Sequence, residues 1–294
     1  MSVGSALVIL SSISFGTLAL FAQRSYEAGF GQVTLLMVRF VAASALLVVL
    51  AAWRRPIWPS PRKLAGLLAM GGLYVGQSFT FFAALKHIPP SMVSLLLYLY
   101  PGIVTIAAVL IFQERMYSAK WGAVGMAIIG SVLIIGVSGK GNMPGIAYGI
   151  GTAIFYSAYL LTGTRVLQGV DSLASSTIVM VTAAVAYTFL AVLQGFAWPT
   201  DADGWTWALL LAVIPTFIAI STLLAGLDRI GPVATSTLAA IEPLSTSALS
   251  VAFLGERLTA IQMFGGACIL AAVIILARAS KRTNPDQAVS SASV

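Results

Sequence analysis

Two ionisable residues lie inside long apolar segments of this chain, Glu242 within 232–254 and Arg39 within 32–52. A charge at the centre of a membrane-spanning helix costs about 2.5–3.5 kcal/mol on insertion scales, so each of them requires a functional or structural reason. Glu242 directly precedes Pro243, which removes a backbone donor and frees a carbonyl at the same level. Glu242 is therefore a candidate to bind a substrate ammonium group or to take up a coupling proton.

A structural role is the alternative for both charges. Glu242 and Arg39 could neutralise each other, or they could cap freed backbone groups inside a bundle of helices. Both hypotheses are compatible with the sequence, because the pattern fixes the depth of each residue and not its neighbours on other helices.

Polar and aromatic residues recur at steps of three and four within several apolar segments, which places them on one helical face. Ser94, Tyr98 and Pro101 form such a stripe. Helix packing is the alternative for the serines, since small hydroxyl residues commonly join membrane helices. The pattern predicts an uncharged, partly aromatic chamber for a neutral or zwitterionic molecule with an apolar side chain. We expect it to be lined by Ser11, Phe15, Tyr74, Gln77, Phe81, Ser94, Tyr98, Tyr156, Tyr159 and Glu242.

The composition identifies the medium in which these residues act. With 59% apolar residues, 9% charged residues and a mean hydropathy of +0.97, the chain lacks the charged surface of a soluble domain, so its partner is the lipid bilayer. A single cysteine and a single histidine exclude a disulfide framework and histidine-based metal sites, and we expect no metal and no cofactor. Basic loops of a membrane protein explain the net charge of +7 better than nucleic-acid binding, which we do not expect.

A span of about 20 apolar residues crosses a bilayer as a helix, and this rule predicts an all-α integral membrane protein with ten transmembrane helices. The predicted spans are 3–23, 32–52, 63–85, 91–112, 118–137, 144–166, 172–193, 204–226, 232–254 and 259–277. Lys and Arg number eleven on one side and four on the other, so both termini are predicted to be cytoplasmic. Residues 279–294 read as a disordered cytoplasmic tail.

Residues 83–115 return at 225–257, offset by 142 positions, with ten identities that include Pro101/Pro243 and Glu114-Arg115/Glu256-Arg257. The repeat predicts two five-span units, 1–143 and 144–278. An odd number of spans places the second unit upside down relative to the first, so the units form inverted repeats suited to alternating access.

The matched residues of the repeat have different expected roles. Pro101 and Pro243 are predicted to interrupt their helices and act as hinges. The Glu-Arg pairs at 114–115 and 256–257 lie at membrane boundaries, where they could cap and anchor helices or form a gate latch.

The chain resembles the drug/metabolite transporter superfamily, specifically its EamA-type ten-span exporters, in three features. These are the prolines of Tyr100-Pro101 and Glu242-Pro243, the sequences FQER and LGER that end at Arg115 and Arg257, and the Arg39-Phe40 step. The aromatic-rich first half is most similar to the branch of aromatic amino acid and paraquat exporters. The resemblance implies a secondary transporter in the inner membrane of a bacterium that exports neutral or aromatic amino acids, or similar small metabolites.

Several other functions are weighed beside this expectation. The small-molecule substrate could instead be a drug or another cationic compound, and a receptor or scaffold is the alternative from a different class. The sequence shows no P-loop, HExxH or GxSxG motif, so we do not expect an enzyme. The oligomeric state is not readable from the sequence, and a monomer is compatible with it.

Overall fold

The computed structural model describes residues 2–112, 118–137 and 142–283, and this part of the chain contains helices and loops without a β-strand. Its helices are α1 Val3–Gly16, α2 Leu18–Glu27, α3 Gln32–Arg54, α4 Pro61–Ala84, α5 Pro90–Leu97, α6 Tyr100–Phe112, α7 Ser118–Val137, α8 Met143–Val166, α9 Ser172–Gln194, α10 Ala202–Ala212, α11 Ala219–Ala239, α12 Ile241–Leu254 and α13 Ala260–Thr283. A π-helical turn, Val213–Ile218, joins α10 to α11.

Eight helices or helix pairs within the described residues are long and apolar enough to cross a membrane. Two shorter apolar helical stretches, Lys120–Leu133 and Ala260–Leu276, lie where the fifth and tenth spans are predicted. The all-helical membrane fold is thus confirmed, and the number of ten spans stays a prediction.

Turn residues set where the helices begin. Asp171 and Asp201 accept hydrogen bonds from the first free amides of α9 and α10, and Ser2 does the same for α1. Pro61 and Pro90 occupy the first turns of α4 and α5, where a missing N–H costs no hydrogen bond.

The bundle has two ends, which we name the proximal end, where the chain starts, and the distal end. At the distal end the loop 28–31 contacts Ala197 and Thr200, and His87 contacts Asn142. At the proximal end Lys63 donates to the carbonyl of Gln168. Helix α1 therefore runs from proximal to distal, whereas α8 begins at the distal end and runs the other way.

Helix packing repeats when the first part of the chain is exchanged with the second. Helix α1 packs on α11, and α4 packs on α8 in the equivalent contact. Helices α3 and α9, α5 and α12, and α7 and α13 pack on one another as pairs. The helices of the two parts of the chain thus interleave.

Two helices are interrupted at matching places in the middle of the bundle. The break between α5 and α6 lies at Tyr98 and Leu99, and the break between α11 and α12 lies at Ala240. Pro101 and Pro243 follow in the first turns of α6 and α12, and each lacks the N–H that would continue the preceding helix across the break. The interruption therefore precedes each predicted hinge proline. Ser94, Tyr98 and Pro101, which the sequence predicts to share one helical face, do not lie on one straight helix.

Three further irregularities occur in the helices. Thr17 separates α1 from α2, the π-helical turn contains Pro215, and Gly231 has the non-helical dihedrals φ 75° and ψ 169°, which divide α11 into two helical stretches. Helix α13 continues to Thr283 and so includes the first residues of the predicted tail 279–294. Alanine, lysine and arginine continue a helix well, and the residue type that stops one, Pro285, comes later. Residues 284–294 lie outside the described part of the chain.

Candidate functional site

The two interrupted helices meet through Tyr98. Its hydroxyl lies 2.7 Å from the carbonyl oxygen of Ala239 and 3.0 Å from Oε2 of Glu242. Pro243 has no N–H to offer the carbonyl four residues earlier, which is that of Ala239. The Tyr98 hydroxyl therefore satisfies a carbonyl that the proline frees, and it contacts the carboxyl beside it. We name Tyr98, Ala239 and Glu242 together the central joint.

Glu242 lies in the first turn of α12 and is partly exposed in the middle of the bundle. A negative charge is favoured at this position by the helix dipole. Gly16 allows α1 to approach α12 closely, because a Cβ on Gly16 would lie 2.5 Å from Cβ of Ser245 and 3.3 Å from the carbonyl oxygen of Glu242. The end of α1 thus forms a wall of the site that leaves no room for a side chain.

A row of five tyrosine rings extends from the central joint across the bundle. The ring centroids of Tyr98 and Tyr100 are 5.8 Å apart, those of Tyr100 and Tyr156 4.8 Å, those of Tyr156 and Tyr159 6.0 Å, and those of Tyr159 and Tyr74 5.6 Å. Every ring except that of Tyr98 belongs to a partly exposed residue. The row offers aromatic surface and hydroxyl groups to a molecule in the middle of the membrane.

Arg39 lies at the far end of this tyrosine row and is 2% exposed. Its Nε donates to the hydroxyl of Thr216 at 2.9 Å, and Tyr74 lies near the guanidinium. The guanidinium also lies over the rings of Phe40 and Phe82, at 4.8 and 5.4 Å from their centroids. Neutral groups therefore hold this buried cation.

The ion pair between Arg39 and Glu242 that the sequence leaves open is not formed. Within the described residues the one ion pair joins Arg24 and Glu27, at 2.9 Å. The two intramembrane charges lie at opposite ends of the tyrosine row, each with its own hydrogen-bond partners.

The partner of Arg39 depends on a second proline. Pro215 cannot bond the carbonyl of Leu211, and the Thr216 hydroxyl donates to that carbonyl at 2.9 Å. With its hydrogen used in this way, the Thr216 oxygen is left to accept from Arg39. The arrangement parallels the central joint, since in both places a hydroxyl satisfies a proline-freed carbonyl and contacts a charged side chain.

The remaining predicted cavity residues lie in different environments. Ser11 is buried and its hydroxyl donates to the Ala219 carbonyl at 2.7 Å, so it joins α1 to α11 and is not available to a substrate in this conformation. Phe15 is partly buried against the core. Ser94 and Phe81 are buried, and Gln77 is partly exposed with Oε1 at 3.3 Å from the Ser78 hydroxyl.

The predicted boundary residue Glu256 joins two helices at the distal end. Its carboxylate accepts hydrogen bonds from the hydroxyl and the backbone amide of Ser91, and so it caps α5. Arg257 is exposed. Glu114 and Arg115 lie outside the described residues. A cavity of about 330 Å³ adjoins this contact and is lined by charges of both signs, among them Glu27, Lys86 and Glu256.

The predicted cavity does not include Tyr100, Gly16, Thr216 or the carbonyl of Ala239. The signal for the carbonyl was present, because it lies four residues before a proline. No sequence pattern identifies the hydroxyl that will satisfy it, since that hydroxyl comes from another helix. The described residues contain no group of three or more metal-binding side chains.

Interleaved membrane helices, with two of them broken around a polar centre, define a class of helical membrane proteins in which the broken helices form a midplane site. The model of the EamA-like transporter family matches the chain twice, over residues 2–136 and 143–278. The chain belongs to the EamA-like transporter family, a membrane transporter family of the drug/metabolite transporter superfamily.

Individual relatives agree with this family. An uncharacterized transporter from Archaeoglobus fulgidus is 28% identical over 275 residues, covering 94% of this chain and 96% of the relative. Protein RarD from Streptomyces exfoliatus is 30% identical over 264 residues, covering 86% of this chain and 82% of RarD. A solved crystal structure covers 95% of this chain and 99% of its own with a TM-score of 0.68 at 19% identity, which shows the fold alone.

Proposed function

We propose that this protein is a secondary transporter that exports neutral or aromatic amino acids, or similar small metabolites, across the inner membrane of a bacterium. The observation that carries the proposal is the tyrosine row that ends at Glu242, between two broken helices. A carboxyl can hold a substrate ammonium group, and the aromatic rings can pack against an apolar side chain.

Alternating access is supported by the directions of the helices. Helices α1 and α8, the first helices of the two family matches, run in opposite directions through the bundle. Two inverted five-span repeats, 1–143 and 144–278, require this arrangement. With both termini in the cytoplasm, the distal end faces the exterior. The Glu256–Ser91 contact and the central joint then hold this structure in a state that is closed to the exterior.

Counterflow in proteoliposomes tests the proposal. Purified protein is reconstituted with unlabelled phenylalanine inside, and uptake of labelled phenylalanine is measured beside alanine and the cation tetraphenylphosphonium. A carrier of amino acids accumulates labelled phenylalanine transiently. Exchange of the cation alone would support drug export instead, and absence of all exchange in folded protein would favour a receptor or scaffold.

Variants locate the exchange in the chamber. Tyr98→Ala and Gln77→Ala should reduce counterflow while the protein remains inserted and monodisperse. Phe189→Ala is the control, because Phe189 is 62% exposed on the outer surface of α9. Wild-type exchange rates in both chamber variants would refute the chamber as described.

A further inference from the structure

We propose that Glu242 binds a proton in this conformation and that this proton stabilises the contact between the two broken helices through Tyr98. The proposal deepens the proposed function, because it assigns the coupling ion of the same site. It rests on the number of hydrogens available in the central joint.

The central joint contains one phenolic hydrogen and two oxygens that compete for it. The carbonyl oxygen of Ala239 can only accept a hydrogen bond, and it is the nearer oxygen at 2.7 Å. With the phenolic hydrogen on this carbonyl, the contact of 3.0 Å between Tyr98 and Oε2 of Glu242 requires a second hydrogen. A protonated carboxyl supplies that hydrogen and donates to the Tyr98 oxygen.

An ionised Glu242 would require another arrangement. The carboxylate can only accept, and a charged acceptor forms a stronger hydrogen bond than a neutral one, so Tyr98 would turn its hydrogen to Glu242. The Ala239 carbonyl would then lose its partner, since Pro243 already denies it the helical N–H. Loss of the proton therefore removes the hydrogen bond that ties α5 to the end of α11.

The groups that face Glu242 from the packed helices support a neutral carboxyl. Tyr98 and Tyr100 come from the broken helix, and Tyr156 comes from α8. Helix α1 faces Glu242 with Gly16, and Ser245 and Thr246 are the neighbours of Glu242 on α12 itself. None of these side chains carries a positive charge, although the dipole of α12 favours the ionised form, and Glu242 forms no ion pair within the described residues.

A substrate ammonium group can replace the proton. It would pair with the carboxylate, draw the Tyr98 hydrogen toward Glu242 and release Ala239, so substrate binding would loosen the contact that closes the exterior side. One proton leaves Glu242 for each ammonium bound and returns from the opposite aqueous face after release. The chain would thus exchange one proton for one cationic amino group.

Labelling with dicyclohexylcarbodiimide tests the proton site without any substrate, because this reagent reacts with protonated carboxyls in apolar surroundings. Full-length protein in detergent is labelled at a series of pH values between 5 and 9, a range of about four pH units around neutrality. Modification of the peptide containing Glu242 is then measured by mass spectrometry. We expect labelling that falls as the pH rises, and a folded protein without labelling at any pH would overturn the proposal.

Two variants should move the pH of half-maximal labelling in opposite directions. Tyr98→Phe removes the donor that an ionised carboxylate needs, so the midpoint rises by about one pH unit. Pro243→Ala gives the Ala239 carbonyl a backbone donor and frees the Tyr98 hydrogen for the carboxylate, so the midpoint falls. Tyr187→Phe is the matched control, since it removes a hydroxyl that lies 2.7 Å from the carbonyl of Val75.

Midpoints that stay fixed, or that move in the same direction in Tyr98→Phe and Pro243→Ala, would refute the proposal. A second arm adds phenylalanine to the wild-type protein. Protection of Glu242 supports competition between proton and ammonium. If the variants shift the midpoint as expected and phenylalanine neither protects nor exchanges, the proton site stands and the amino acid substrate is wrong.

Discussion

Neutralising Glu256 should open the distal end, and the structure allows the size of the effect to be worked out. The Glu256 carboxylate accepts hydrogen bonds from the hydroxyl and amide of Ser91 at the start of α5. Glu256→Gln keeps the shape of the side chain and one hydrogen-bond acceptor, and it removes the negative charge. A charged acceptor adds about 1 kcal/mol over a neutral one. The helix dipole adds about 0.5 kcal/mol. The total of about 1.5 kcal/mol changes the ratio of closed to open forms roughly tenfold.

Distances between two spin labels measure this ratio. The labels are placed at His87 and Arg257, which are exposed near the two sides of the contact, after Cys268 has been replaced by Ser. Glu256→Gln should increase the population at longer distance about tenfold relative to the closed population. Glu27→Gln is the control, because its partner Arg24 lies on its own helix. Distance distributions that coincide in wild type and Glu256→Gln would refute the assignment of this contact as a gate.

Two further predictions concern thermal unfolding in detergent. Gly16→Ala brings a Cβ to 2.5 Å from that of Ser245 and should destabilise the protein by about 1–3 kcal/mol, whereas Gly72→Ala, with open space around it, should have no such effect. Thr216→Val removes the acceptor of the buried guanidinium and should cost about 1–3 kcal/mol. The matched Thr222→Val, whose hydroxyl bonds the carbonyls of Ile218 and Ala219 one turn earlier in the chain, should cost less, and equal losses would contradict the role of Thr216.

The sequence predicts the course of the helices well, because long apolar runs end at residues that cannot stay in lipid. The predicted span 118–137 coincides with α7, and the predicted span 172–193 differs from α9 by one residue. The composition also fixes the membrane class. These features depend on residues that are neighbours in the chain, so one sequence is sufficient to read them.

Contacts between helices are harder to predict. The depth of Arg39 and Glu242 is readable from the sequence, whereas their separation along the tyrosine row depends on how α3, α4, α6, α8 and α12 are rotated about their axes. Ser11 shows the same limit, since its spacing fits a cavity face and its hydroxyl bonds α11. Hydrophobic periodicity does not distinguish a face that meets a cavity from one that meets another polar helix.

The central joint occurs once in a chain that is built from two similar units. At the matching offset of 142, Ala240 takes the place of Tyr98 and Tyr100 takes the place of Glu242. The carbonyl of Leu97, which Pro101 frees, therefore has no matching phenol to satisfy it when the halves exchange roles. If the chain works by alternating access as proposed, its two end states are unequal in free energy, and we expect the substrate-free protein to populate one of them preferentially.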